Sequence, residues 1–421
     1  MLTQDAPALH ISRIQADKGA HHLFIASNTS RAREMNSVFA GLSTTVFEVM
    51  SRLAREHDAV NLGQGFPDDP GPEDVRAKAA DAVLNGWNQY PPMMGVPELR
   101  HAVARHYREW QGLDLDAEAE VMITSGATEA IAGALFALIE PGDEVVLFQP
   151  LYDAYLPLVQ RAGGVPRLVG LSPPGWRLTE DVLARAFSPR TRVVLFNNPH
   201  NPTGRVFDAE ELELLARFCA RSGAVLISDE VWEHVVFDGG RHRSVLSLPG
   251  MRERAVKIGS AGKIFGMTGW KVGFVCAGPE LMRTLSKAHQ FLTFTTPPAL
   301  QHAVAYGLGK EPAWFDGMRA GLQRSRDRLG QGLAARGYEV LPSAGTYFLN
   351  IDIGPPATGL DDLSFCRWLV EERGVAAIPL SAFYAEDPVR NVVRFCFAKH
   401  DATLDQAMSR LSASNPAIVT N

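Results

Sequence analysis

The sequence predicts an α/β protein: a large domain on a mostly parallel sheet covered by helices, followed by a smaller α+β domain. Three observations lead there. Between about Glu120 and Gly278, short apolar runs rich in β-branched residues alternate with helical stretches. Runs of that kind, joined through helices, argue strands buried on both faces of a parallel sheet. After residue 310 the pattern changes, and a long arginine-rich helical stretch precedes separate strands and a terminal helix. The length, 421 residues, gives room for two or three domains and an ample core.

Taken in order, residues 1–30 are mixed and polar without periodicity, and are expected to form an N-terminal extension. Residues 36–57 carry Val38, Phe39, Leu42, Val46, Val49, Met50 and Leu53 at mostly helical spacings. They predict a helical segment, and residues 31–58 are expected to pack with the small domain. Ala59–Asp68 reads as a short strand entering a Gly-rich turn. Gly63-x-Gly65 begins like a dinucleotide fingerprint, but Asp68 stands where the third glycine belongs and Pro67 precedes it. Strands follow at Val121–Thr124, Val145–Phe148, Val193–Phe196, Val225–Ser228, Ala255–Ile258 and Val272–Val275. Between them lie a helix at Thr128–Ile139, the stretch Tyr152–Ala162 and a helix at Glu210–Ser222. These complete a large domain over residues 59–309. In the small domain, residues 310–421, a helix is expected at Met318–Arg336. Strands are expected at Tyr338–Leu341, Thr346–Ile351 and Asn391–Phe397, and a last helix at Ala402–Ser412. No internal repeat is visible.

Composition excludes several function classes. Hydrophobic content of 46% and charged content of 21% are ordinary globular values. A net charge of −6 gives no reason to expect nucleic acid or an acidic membrane as partner. Cys219, Cys276, Cys366 and Cys396 are far apart, so neither a zinc site nor a disulfide framework is suggested, and no metal is expected. Scattered thiols fit a reducing compartment. Met1–Ile25 lacks an apolar signal core, and the longest apolar stretch, near Ala130–Ile139, is too short to span a bilayer. A soluble, cytoplasmic protein is expected.

The candidate chemistry centres on Lys263. It lies among small residues, Gly259, Ser260, Ala261 and Gly262 before it and Gly266 and Gly269 after. Small residues let backbone and a planar ligand approach closely. A lysine there has little water around it, and desolvation favours the neutral, nucleophilic amine. That is what a Schiff-base lysine requires. Lys271, eight residues on, is placed to hold a phosphate. The alternative is a Gly-rich surface loop with two solvated lysines. Ser125-Gly126-Ala127-Thr128-Glu129 joins a strand to an apolar helix. The Ala127 and Thr128 amides there offer an anion site, assisted by Ser260 and Lys271; a plain helix cap is the alternative. Asp229 ends a strand, where it either caps the next turn or faces a cofactor ring nitrogen. Arg394, in Asn391-Val-Val-Arg-Phe-Cys-Phe, has apolar neighbours on both sides and so needs an anion: a substrate carboxylate or a structural partner.

Ser260-x-x-Lys263 followed by Thr268-Gly-Trp-Lys271-Val-Gly resembles the lysine signature of the pyridoxal-phosphate-dependent class I/II aminotransferases. The form Gly-Ser-Ala-Gly-Lys is most similar to the kynurenine–glutamine and methionine aminotransferase branch. The resemblance runs from about Val38 to the C-terminal strands. It implies an aspartate-aminotransferase-like fold (fold type I of the pyridoxal-phosphate transferases), pyridoxal 5'-phosphate as cofactor, and a homodimer with shared active sites. It also implies roles for single residues. Gly65 presents backbone to the substrate carboxylate. Asn201, in Asn197-Asn-Pro-His-Asn-Pro-Thr-Gly, donates to the cofactor's phenolic oxygen and reaches the substrate carboxylate. Tyr152 stacks on the ring, with core packing as the alternative. Tyr90 reaches the neighbouring subunit's phosphate. Trp232 is a departure, because the family usually has tyrosine there; an indole N–H can donate but cannot act as a phenol.

The resemblance places the side-chain pocket around His289–Pro298, contributed by the other subunit. Relatives that take dicarboxylates carry an arginine near it, and none stands between Lys287 and the end of this segment. Charge discrimination needs an opposing charge. The pocket is therefore expected to be neutral, lined by Phe294 and Phe47, and to take methionine, glutamine or aromatic, kynurenine-like amino acids. Thr295 stands where kynurenine-using relatives commonly have histidine. The function expected is ping-pong transamination to a 2-oxo acid, with Lys263 as catalytic base and acid. A cysteine-S-conjugate β-lyase on the same scaffold is the alternative. A cofactor-sensing regulator with a DNA-binding helix pair is disfavoured, because residues 1–35 are too short and irregular for one.

Overall fold

The computed structural model describes residues 36–354 and 360–411, so the extension expected at residues 1–30 lies outside it. Met1–Gly41 and Leu42–Asn421 separate as two units. The described part of the first is a one-turn helix, Ser37–Ala40, whose cap Asn36 accepts from the Phe39 N–H. In the second, Thr45 caps the helix Val46–Glu56 by accepting from the Glu48 N–H at 3.3 Å. The single helical segment expected over 36–57 is thus two helices, because each has its own polar cap. The second packs on strands near the C-terminus and buries Met50, Ser51 and Ala54.

The strands in chain order begin β1 (Val60–Asn61), β2 (Val121–Thr124), β3 (Glu144–Gln149) and β4 (Val165–Gly170). Next come β5 (Thr191–Asn197), β6 (Val225–Asp229), β7 (Ala255–Ser260) and β8 (Gly273–Ala277). β2 to β8 form one seven-stranded sheet in the order β2-β8-β7-β6-β5-β3-β4. Neighbours from β7 to β4 are parallel; β8 is antiparallel to both β2 and β7. The mostly parallel α/β class is borne out. Residues alternate between two apolar cores on opposite faces. Val145, Leu147, Val193, Leu195 and Ile227 join one; Val146, Phe148, Val194, Phe196 and Leu226 join the other. Both faces are covered, so these strands read as unbroken apolar runs. β4 escaped the sequence reading because it is an edge strand, half-exposed along its length and interrupted by Pro166.

This topology sets the site. β2, β3, β5, β6 and β7 deliver their carboxyl ends to one edge, where open α/β sheets bind ligands. β8 runs the other way, so its start lies at that same edge, and Lys271 stands just before it.

The C-terminal part has the helix Pro312–Ala334, then β9 (Glu339–Val340) and β10 (Phe348–Asp352). The helix Asp362–Arg373, β11 (Val375–Ala376), β12 (Ile378–Pro379), β13 (Val392–Cys396) and the helix Asp401–Arg410 follow. β12-β13-β10-β9 form an antiparallel sheet, and β1 pairs with β11. Arg394, mid-strand on β13, lies opposite Asn350 and Ile378.

A buried ionic cluster underpins β6 and β7. Lys257 Nζ lies 2.6 Å from both Glu230 Oε2 and Glu233 Oε2. His242 Nε2 is 2.7 Å from Glu230, and the Tyr107 hydroxyl donates to Glu233 at 2.9 Å. Both carboxylates converge on one ammonium, so removing it leaves two buried anions facing each other. Lys257→Ala should lose roughly 3–5 kcal/mol of stability, as a smaller urea midpoint at unchanged slope.

Candidate active site

The sheet edge surrounds a cavity lined by Gly126, Ala127, Thr128, Tyr152, Asn201, Asp229, Trp232, Ser260, Lys263 and Lys271. These residues come from loops after β2, β3, β5, β6 and β7 and from the approach to β8. Of the twelve residues expected to hold the cofactor, ten line one cavity.

Lys263 sits in a short helix, Ala261–Ile264, directly after β7. Its Nζ is 3.1 Å from the Tyr347 hydroxyl oxygen and lies over the Trp232 ring, 4.6 Å from the centroid. Burial lowers its pKa to about 8; Asp229 pulls the other way, and Arg394 and Lys271 add to the fall. The amine is therefore neutral in a substantial fraction of molecules near pH 8.

Opposite the amine, Gly126 opens the helix Gly126–Leu138 with φ +79°, a conformation that favours glycine. A Cβ there would lie 3.2 Å from Lys271 Cε. The closeness brings the ammonium of Lys271 beside the first free N–H groups of the helix. Together they make an anion cradle of fixed donors and one cation. Ser125 differs from expectation: its N–H donates to Glu129, and its hydroxyl meets Thr296 at 3.3 Å, outside the cavity.

Asp229 is buried at the end of β6. It accepts from the Tyr155 hydroxyl at 2.6 Å and from the Val231 N–H at 3.3 Å. Burial nevertheless raises its pKa above the usual carboxylate value. Arg394 is 2% exposed. One guanidinium nitrogen donates to Asn201 Oδ1 at 3.0 Å and another to the Gly63 carbonyl at 3.2 Å, while Nε has no partner. The group is walled by aromatic rings, 3.8 Å from the Phe348 centroid, 4.8 Å from Phe383 and 5.5 Å from Phe47. Burial lowers its pKa to about 10, so it stays cationic at neutral pH. Among the described residues neither Asp229 nor Arg394 forms an ion pair.

Asn201 is held by a backbone bond, its N–H donating to Asn197 Oδ1 at 2.7 Å. Its side-chain oxygen is committed to Arg394, which leaves the amide nitrogen to donate into the cavity. The Gly65 carbonyl accepts from the Tyr347 hydroxyl. Tyr90 and Phe294 do not line the cavity: Tyr90 is 82% exposed and meets the Phe294 ring edge-on at 5.5 Å. Sequence reasoning missed Tyr155 and Tyr347. Tyr155 stands three residues after Tyr152, its N–H donating to the Tyr152 carbonyl at 3.0 Å and the two rings 5.6 Å apart, and that spacing is the one signal the sequence carries for it. Tyr347 lies inside an apolar run that the sequence marks only as strand.

Fold and site together define an aminotransferase. The chain belongs to the aminotransferase class I and II family, which it matches over residues 57–411. It is 46% identical over 389 residues to the probable N-succinyldiaminopimelate aminotransferase DapC of Mycobacterium tuberculosis, covering 89% of this chain and 98% of that one. It is 43% identical over 370 residues to the methionine aminotransferase of Escherichia coli, covering 88% and 96%. Human kynurenine–oxoglutarate transaminase 1 is 38% identical over 391 residues, covering 85% and 92%. The solved structure of the mycobacterial N-succinyldiaminopimelate aminotransferase superposes with a TM-score of 0.86 at 47% identity, over 90% of this chain and 99% of that chain. That of the Escherichia coli protein YbdL, identified as a methionine aminotransferase, gives 0.87 at 42%, over the same shares. The resemblance read from the lysine signature is borne out, and enzymes of this family and fold use pyridoxal phosphate in general.

The amine at 263 should titrate apart from other lysines. In competitive acetylation of the cofactor-free protein, read peptide by peptide, Lys263 should show a midpoint of about 8. Exposed lysines should titrate near the ordinary value of about 10.4.

Proposed function

We propose that the sheet-edge cavity binds pyridoxal 5'-phosphate and that the enzyme transfers the amino group of a neutral or aromatic amino acid to a 2-oxo acid. One observation carries the reading. Two buried groups of opposite charge, Asp229 in the wall of the Lys263 cavity and Arg394 bonded to Asn201 of that wall, form no ion pair among the described residues. Buried charges normally have partners. A cationic ring nitrogen at Asp229 and a substrate carboxylate at Arg394 would supply both.

The residues present fit that cofactor. Its phosphate would lie in the cradle of Gly126, Ala127, Thr128, Ser260 and Lys271, and Tyr152 would cover the ring. Asp229, held by Tyr155, would face the ring nitrogen, and the free amide of Asn201 would donate to the ring oxygen. When bound, the cofactor supplies an aldehyde carbon that takes up amines and a ring that accepts electrons. Arg394 then holds the substrate α-carboxylate with its fork, aided by the Gly65 turn. Lys263, its amine shifted toward the neutral form by burial, would take the proton from the substrate α-carbon and return it to the carbon that the cofactor's aldehyde contributes.

The assembly proposed is a homodimer with shared sites. Leu84, Trp87, Tyr90 and Phe291 are 74–85% exposed, and Tyr90 meets the Phe294 ring edge-on. Large apolar side chains left this exposed suit a subunit interface, from which Tyr90 and Phe294 would enter the partner's site. A cytoplasmic location is proposed with it: the four cysteines are free and buried. No helix among the described residues is long and apolar enough to cross a membrane.

The donor class is argued from charge. Phe47 and Phe294 are apolar, and no arginine accompanies them in the segment after Lys287. Methionine should therefore be used at least about tenfold more efficiently than aspartate, in kcat/KM with one common acceptor. A panel that adds glutamine, kynurenine and N-succinyldiaminopimelate places the enzyme among its relatives; efficient aspartate turnover would overturn the neutral pocket. Lys263→Ala should lower kcat by at least about 10³-fold and remove the visible absorption of the bound cofactor, with retained turnover refuting the role of this amine.

A further inference from the structure

Tyr347 is 2% exposed and precedes β10. Its backbone is fixed on both sides: the Thr346 N–H donates to the Val235 carbonyl at 3.0 Å, and the Tyr347 carbonyl accepts from the Phe397 N–H at 3.0 Å. Its ring stands edge-on to Trp232, with centroids 4.3 Å apart at 88°, and to Phe348 at 4.9 Å. Packing, not a flexible tether, therefore sets the position of the hydroxyl. That hydroxyl donates to the Gly65 carbonyl and lies 3.1 Å from Lys263 Nζ.

A phenol has one proton to give. Burial keeps it on the oxygen, pushing its loss well above the ordinary tyrosine range. With that proton committed to Gly65, the oxygen offers Lys263 only lone pairs, so the amine must be the donor. Nζ also lies over the Trp232 ring, 4.6 Å from the centroid, and a ring face attracts N–H groups rather than a lone pair. Among the described residues no other hydrogen bond reaches this nitrogen. Both contacts take up N–H directions, and the lone pair of the neutral amine is left to point elsewhere.

We propose that Tyr347 is the positioning residue for the free amine of Lys263: it accepts an N–H while Gly65 holds its own proton, and so aims the amine lone pair into the cavity. The inference rests on the reading of Lys263 as the proton-carrying amine. Tyr347 and Lys263 also belong to the wall of a second, wider cavity with Pro67, Phe265 and Trp314. Without a fixed acceptor the amine is free to turn toward that space.

The test is Tyr347→Phe in the full chain, which removes one oxygen and keeps the ring. The variant should lower kcat about tenfold while the donor KM stays within about twofold, the loss expected when one hydrogen bond to a reacting group goes. In the cofactor-free protein, competitive acetylation should place the Lys263 midpoint about one unit lower, because an acceptor stabilises the ammonium more than the amine. If Tyr347 only braced the Gly65 turn, the donor KM would rise and the Lys263 midpoint would not move; that result overturns the proposal. Should the variant fail to fold, 3-fluorotyrosine placed at 347 weakens the acceptor without changing the packing. The midpoint must then fall in the same direction, and an unchanged midpoint again overturns the proposal. Turnover retained in Lys263→Ala would remove the underlying reading instead, so the two failures are distinguishable.

Discussion

Two lysines, six residues apart, meet opposite fates at and beyond β7, and the site depends on that contrast. Lys257 is completely buried with two carboxylates at 2.6 Å, and their attraction outweighs desolvation, holding its pKa above the ordinary value. Lys263 is surrounded by the Tyr347 hydroxyl and the Trp232 face, with Asp229 near but not in contact, and desolvation wins. The deciding quantity is the distance to the counter-charge, since attraction in a low-dielectric interior falls steeply once contact is lost. A carboxylate placed against Lys263 as Glu230 is placed against Lys257 would make it a permanent cation and useless as a base.

The same partition divides the neighbours Asp229 and Glu230. Glu230 points into the ionic cluster, bonded by Lys257, His242 and the Val245 N–H, and its carboxyl is held far below the usual range. Asp229 faces the cavity with a phenol and one backbone N–H, and burial raises it. Successive residues leave a strand on opposite sides. One side is thus electrostatically complete and holds β6 and β7 together; the other is left short of cation, and the shortage is what a ligand would relieve. Stability and reactivity are separated by one residue of register.

Much of this was legible in the sequence because the sheet is buried on both faces. Val145–Phe148 and Val193–Phe196 read as strands from apolar content alone, and the chemistry residues fell at their carboxyl ends. Less regular features were not legible. β4 lacks apolar continuity because it lies at the edge, and β8 has the same composition whether parallel or antiparallel, so its direction had no local signature. Thr45 as a second helix cap was available but hidden inside a plausible apolar period. At the site, the residues expected to contact a ligand carry motifs, whereas Tyr155 and Tyr347 sit in runs that packing alone explains. The turn of Ser125 away from the cavity follows from Glu129 and Thr296, the latter 171 residues away, a contact that only the tertiary fold creates.

Arg394 shows why the second sheet is needed at all. The seven-stranded sheet brings Lys263, Asp229 and the start of the Gly126 helix to its own edge, and under the proposed reading the cation for a substrate carboxylate has to come from elsewhere. Arg394 arrives on β13 with two hydrogen bonds, to a carbonyl and to an amide oxygen, which orient the fork without cancelling its charge. Had a nearby acid paired with it, the buried ion pair would be closed and its attraction for a ligand spent; Asp153 acts on it only from beyond contact distance. Asn201 joins the two halves, because one amide bonds Arg394 through oxygen and offers its nitrogen to the cavity. Under the proposed reading, displacement of Arg394 would therefore disturb the cofactor side as well as the substrate side.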